Sequence, residues 1–174
     1  MLTRFSAAAV LIAAAIALGY LLSGVPNVEG MSAVTFLAGC LLGAGAGALV
    51  GAVSIALFSV LNPLGPALPH VLAAQVAGMS LVGVSGDLWR RLAAFVPRPE
   101  ILAAGLGALL TVVYGVLADY GFAVSMGRWK DPWPVIIAGI PFSTVHIISN
   151  AVIFFGVSLF AVRKYKIGTD GREA

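Results

Sequence analysis

A chain of 174 residues that is 60% hydrophobic and only 10% charged, with a mean hydropathy of +1.04, has too few polar groups to cover a water-soluble domain, which normally carries about 25% charged residues. Lipid must supply much of its solvent, and at ~20 residues per span plus a short loop the length allows about six membrane helices in one domain. The net charge of +3 includes no basic cluster of the kind that binds nucleic acid, and the single Cys40 excludes a disulfide within the chain.

The first apolar segment is about Phe5–Leu22. Arg4 ahead of it imitates the charged start of a secretory leader. The stretch is nevertheless as long as a full span and more apolar segments follow, so it reads as a retained helix over 5–22. A polar, Pro-containing loop covers Ser23–Gly30. Met31–Leu61 is then a run of 31 residues without charge, too long for one span of ~20. The Gly/Ala string Leu42–Gly47 predicts a tight turn between two short helices, 31–43 and 47–61. Asn62-Pro63-Leu64-Gly65-Pro66 breaks the chain before a fourth span, 67–86. Asp87–Glu100 reads as a charged connector with Pro97 and Pro99, in which Asp87–Arg91 would anchor in lipid headgroups. The fifth span is 101–120, followed by a polar, aromatic stretch, Gly121–Trp133. The sixth is 134–162, with Pro141 as a second candidate start, and residues 163–174 form a charged tail.

Six spans put both termini on one side. That side collects Arg4, Arg90, Arg91, Arg98, Arg163, Lys164, Lys166 and Arg172, against Arg128 and Lys130 opposite. The excess of basic residues predicts that both termini are cytoplasmic. The 21 Gly and many Ala suit closely packed membrane helices, where small residues let backbones approach. On the first helix Ala9, Ala13 and Ala17 form a smooth stripe at four-residue spacing, fit for packing within the chain or against another protein.

Polar residues fall unevenly in depth. Asn27, Glu29, Asn62, His70, Asp119, Tyr120, Trp129, Lys130, Asp131 and Trp133 gather on the outer side, and Gln75, Tyr114, His146 and Asn150 lie deeper. Amide and ionisable groups inside a membrane are costly and normally face the bundle interior. His146 and Asn150, four apart, share a helix face with Ser143. This stripe suits a ligand or a helix–helix hydrogen bond equally. Gln75 either clamps a ligand or staples two helices, and Asp119 either caps a solvated helix end or meets a cation or ligand amine. The pattern suggests a pocket open to the outside that reaches toward the midplane. No HExxH, GxSxG or phosphate-cradling Gly-rich loop occurs, so neither catalysis nor ATP hydrolysis is expected, and two His and one Cys suggest no metal site.

Three strings carry a family resemblance. Residues 26–66, PNVEGMSAVTFLAGCLLGAGAGALVGAVSIALFSVLNPLGP, resemble the second and third helices of substrate-binding S components of energy-coupling factor (ECF) transporters. Residues 74–91, AQVAGMSLVGVSGDLWRR, resemble the fourth helix and inner connector. Residues 139–155, GIPFSTVHIISNAVIFF, resemble the sixth helix. The likeness is nearest to the cobalamin-type branch and departs from it at Ala44-Gly45-Ala46, where relatives often carry a basic residue. It implies a non-catalytic, multi-pass subunit of a bacterial or archaeal cytoplasmic membrane that captures a vitamin or related micronutrient from outside. Asn27, Asn62, Gln75, Asp119, His146 and Asn150 would line the pocket. Ala9, Ala13 and Ala17 would dock onto a transmembrane coupling protein that carries two cytoplasmic ATPases. No cofactor is implied. The residues themselves leave two alternatives open: a small membrane scaffold or assembly subunit, whose deep polar groups pair with one another, and an autonomous permease or channel, which needs a continuous polar path.

Overall fold

A computed structural model describes residues 2–62 and 65–165, and these form six α-helices. They are α1 (Leu2–Leu22), α2 (Gly30–Leu42), α3 (Ala44–Val60), α4 (Pro69–Leu92), α5 (Pro99–Ser125) and α6 (Trp133–Tyr165), with one 3-10 turn at Ala93–Phe95. Pro63, Leu64, Lys166 and Arg172 lie outside the described residues, as do the side chains of Arg163 and Lys164. Four stretches are long and apolar enough to cross a membrane: Arg4–Leu22, Pro69–Phe95, Pro99–Ser125 and Trp133–Val162. Their surfaces support that solvent. Large apolar side chains such as Phe5, Leu21, Leu109, Ile148, Val152 and Phe160 are more than half exposed, a coat that water would not tolerate over so much of a bundle.

α2 and α3 are shorter, at 13 and 17 residues, or about 20 and 26 Å at 1.5 Å per residue. The reversal between them takes one residue. Gly43 has φ +93, a conformation that only glycine adopts without strain, and it caps both helices at once. The Gly/Ala string expected to be the turn is therefore helical from Ala44 onward. Pro69 and Pro99 open α4 and α5, where the missing N–H is harmless and the fixed φ helps. α6 begins at Trp133 and runs through Pro141. One backbone hydrogen bond is lost there without ending the helix.

α2 sits at the centre of the bundle. Ten of its 13 residues are buried, and it packs on α1, α3, α4 and α6. The approach of α2, α3 and α4 is backbone to backbone. A Cβ on Gly47 would come within 2.6 Å of both the Gly39 Cα and the Gly83 carbonyl oxygen. A Cβ on Gly39 would overlap the Gly83 carbonyl, and one on Gly83 would overlap the Gly47 carbonyl. Around this knot lie the fully buried Phe36, Trp89 and Phe154, with Phe36 tilted against both other rings at 5.6 and 4.7 Å.

The fourth helix runs six residues beyond its expected end at Gly86. Asp87 is 3% exposed, which corrects the reading of Asp87–Arg91 as a headgroup anchor in its acidic part. Arg90 and Arg91, at i+3 and i+4, hold the carboxylate at 2.6 and 2.8 Å. A charge neutralised on its own helix can be buried without ending that helix. The Arg91 side chain stays 70% exposed. Trp89 next to this cluster donates its indole N–H to the Pro99 carbonyl at 2.8 Å, tying α4 to the start of α5.

Overfilling the glycine knot forces helices apart. Gly39→Leu and Gly83→Leu are each expected to lower stability by about 3 kcal/mol. Gly105→Ala, at an open helical position, should stay within about 1 kcal/mol of wild type. Thermal unfolding in detergent measures both.

Candidate functional site

The end of the bundle opposite the start of α1 and the end of α6 carries a partly enclosed cavity of about 360 Å³. Its walls are the end of α1, the loop before α2, the start of α2 and the end of α3. Leu22, Val28, Met31, Ile55 and Phe58 supply the apolar surface, and Ser23, Asn27, Glu29 and Asn62 supply the polar groups. The loop is shaped by Asn27, which takes a left-handed conformation with φ +61, a geometry that asparagine tolerates better than most residues. Its carbonyl accepts a 2.8 Å hydrogen bond from the Ser149 hydroxyl of α6, so the loop is tied to the far side of the bundle. Tyr20 and Phe58 meet at 5.1 Å, and the Tyr20 hydroxyl donates to the Leu61 carbonyl at 3.1 Å. These contacts close the α1–α3 edge.

Behind the cavity, on the other side of Glu29, lies a packed polar layer. The Ser32 hydroxyl donates to Asn150 Oδ1 at 3.1 Å. Asn150 Nδ2 donates to Thr111 Oγ1 at 2.9 Å, and Thr111 donates to the Gly107 carbonyl at 2.7 Å. Three helices are thus joined through one buried amide. His146, one turn before Asn150, places Nε2 3.6 Å from Glu29 Oε2. That is an ion-pair distance rather than a hydrogen bond, and His146 Nε2 has no hydrogen-bond partner among the described residues. The imidazole stands edge-on to Tyr114 at 6.1 Å and 87°. Gly78 leaves room for that tyrosine, since a Cβ there would meet the ring at 2.6 Å. Gln75 hydrogen-bonds the Tyr114 side chain and accepts a 2.8 Å bond from the Ser59 hydroxyl. A line of polar side chains therefore crosses the bundle from Ser59 through Gln75, Tyr114 and His146 to Glu29. The free space in this layer is only about 10 Å³, at most one water.

The six residues expected to share a pocket fall in three places. Asn27 and Asn62 line the cavity. Gln75, His146 and Asn150 belong to the packed layer behind it. Asp119 lies apart, in a cleft of about 160 Å³ between α5 and α6 with Val116, Ile140, Ser143 and Thr144. Its carboxylate rests on the backbone of Gly139, whose Cβ would come 2.5 Å from Oδ2. Ser143 is in that cleft rather than beside His146, because α6 turns that flank toward α5. The residue that joins cavity and layer is Glu29, which borders both. Its signal was an acidic residue two positions before the 31-residue uncharged run Met31–Leu61, but nothing in the spacing linked it to His146. Thr111 was not distinguishable from any hydroxyl on an apolar helix.

Ala9, Ala13 and Ala17 are all exposed on α1, while Ala15 on the opposite face is fully buried. The stripe is free of packing within the chain. Among the described residues no three metal-ligating side chains come together. Comparison with protein-family models, with curated proteins and with solved structures gives no match.

Removing the central amide leaves Ser32 and Thr111 without their shared partner. Asn150→Leu should therefore cost about 1–2 kcal/mol, read as a lower unfolding temperature in detergent.

Proposed function

We propose that this chain is the substrate-binding subunit of an ECF-type importer, with six spans in a bacterial or archaeal cytoplasmic membrane and both termini inside. The observation that carries the reading is the cavity of about 360 Å³ at the end opposite the start of α1 and the end of α6. In this orientation that end faces outward. The volume lies within the range of small-molecule sites, about 300–1,000 Å³. Apolar walls with a few amide and carboxylate groups suit capture of a vitamin-sized heterocycle. A corrinoid is far larger than the space, so the size favours a small flat ligand over a cobalamin-type one.

The packed layer beneath the cavity supports a binder over a channel. About 10 Å³ of free space around His146 and Asn150 leaves no aqueous path through that layer, so inward release by that route requires the whole subunit or its loops to move. The chain has no nucleotide-binding motif, and in this reading the energy comes from a coupling protein with two cytoplasmic ATPases. The exposed Ala9, Ala13 and Ala17 form the docking face, since small side chains let a partner helix approach closely. One observation favours the second reading, a membrane scaffold: Ser32, Asn150 and Thr111 satisfy one another, as helix staples do.

Native mass spectrometry of the gently purified protein from its own membranes decides between the two. A bound small molecule, or co-purifying coupling protein and ATPases, is expected. A bare chain that stays bare after addition of a vitamin mixture moves the assignment to the scaffold. Ala13→Trp should abolish co-purification of the coupling module and leave small-molecule binding unchanged. Loss of both, or of neither, removes α1 as the docking face.

A further inference from the structure

Glu29 is the only ionisable residue among the described residues that line the cavity. Arg128 and Lys130, the basic residues of the loop between α5 and α6, are not part of its wall, and neither is His70 at the start of α4. His146 approaches Glu29 from the packed layer behind, and at 3.6 Å it does not consume the carboxylate's hydrogen-bonding capacity. The Glu29 side chain is 34% exposed, and the cavity is where that exposed surface opens. A carboxylate in a cavity also lined by Met31, Ile55 and Phe58 keeps part of its water, and a ligand that displaces that water must replace what it removes. An anionic ligand would add repulsion at low dielectric. A neutral one would leave the charge unbalanced, and a cationic N–H donor would both pair with it and hydrogen-bond it. Phe58 forms an adjacent wall of the same cavity, and an aromatic ring adds attraction for a cation that lies over its face.

We propose that the cavity selects a ligand carrying a cationic nitrogen, a protonated amine or protonated nitrogen heterocycle, through Glu29. Asn27 and Asn62 serve the ligand's neutral polar edge, and the apolar walls hold its ring. His146 is a positioning residue that keeps Glu29 turned toward the ligand. This assignment rests on the uptake reading above and narrows it to one substrate class.

Three shape-matched probes test it: tryptamine as the cation, tryptophol as the neutral form and indole-3-acetate as the anion. Thermal unfolding of the detergent-purified full chain at pH 7 is followed with each probe in titration, for wild type and Glu29→Gln. Tryptamine is expected to bind wild type at least tenfold more tightly than tryptophol, indole-3-acetate is expected to give no shift, and Glu29→Gln should reduce tryptamine to the level of tryptophol. The wild-type comparison needs no variant, so it stands even if Glu29→Gln does not fold. Equal or tighter binding of tryptophol or indole-3-acetate overturns the charge assignment and leaves the cavity as a ligand site. A co-purified ligand without a cationic nitrogen does the same. No response to any probe, in a chain that also carries no co-purified molecule, removes the cavity and the uptake reading together.

Discussion

The contact of three glycines, Gly39 on α2, Gly47 on α3 and Gly83 on α4, is the constraint on which the rest of the bundle depends. Each would place a Cβ against the backbone of a neighbouring helix, so the three helices pack at the closest distance that peptides allow. In lipid there is no hydrophobic gain from bringing apolar helices together, and close van der Waals contact is what remains to drive association. This knot lies in the half of the bundle nearer the α2–α3 turn. The other half is left to larger and polar side chains.

That division explains where a ligand can fit. With α2 pinned at Gly39, its first turn is carried toward α6, and Ser32 meets Asn150 while Glu29 meets His146. The short length of α2 leaves the loop before it, Ser23–Glu29, to cover the gap between α1 and α3. The cavity forms under that loop because the walls there are side chains and turns, not glycine-packed backbone. Deeper in the bundle Asn150, Thr111 and Gln75 find partners on neighbouring helices, because none is available from lipid.

Charge is handled by the same rule at both ends. Asp87 is buried with two arginines from its own helix, a local solution that needs no tertiary partner. Glu29 has no basic neighbour in its own helix or loop, and its one cationic candidate, His146, comes from α6. The first carboxylate is therefore spent on structure, and the second stands 3.6 Å from His146, beyond hydrogen-bond distance.

Much of this was legible in the residues. Six helical segments and their order, with breaks within Leu42–Gly47, at Asn62–Pro66 and in the connector that holds Pro97 and Pro99, follow from apolar run length and helix-stopping residues, because those depend on the chain alone; the structure narrows the first break to Gly43 and starts α4 at Pro69. The small-residue character of α2, α3 and α4, and the outward Ala9–Ala13–Ala17 stripe, follow from composition and a four-residue period. The tertiary structure alone decided which polar residues meet. Asp119 left the expected pocket for the α5–α6 cleft, where Ser143 lies as well instead of beside His146. Gln75 and Asn150 became parts of a packed layer, and Glu29 became the hinge between layer and cavity. Such pairings join residues up to 122 positions apart, and they depend on how each helix is rotated about its axis. That rotation is set by the glycine contacts between helices, which no periodicity within a single helix encodes.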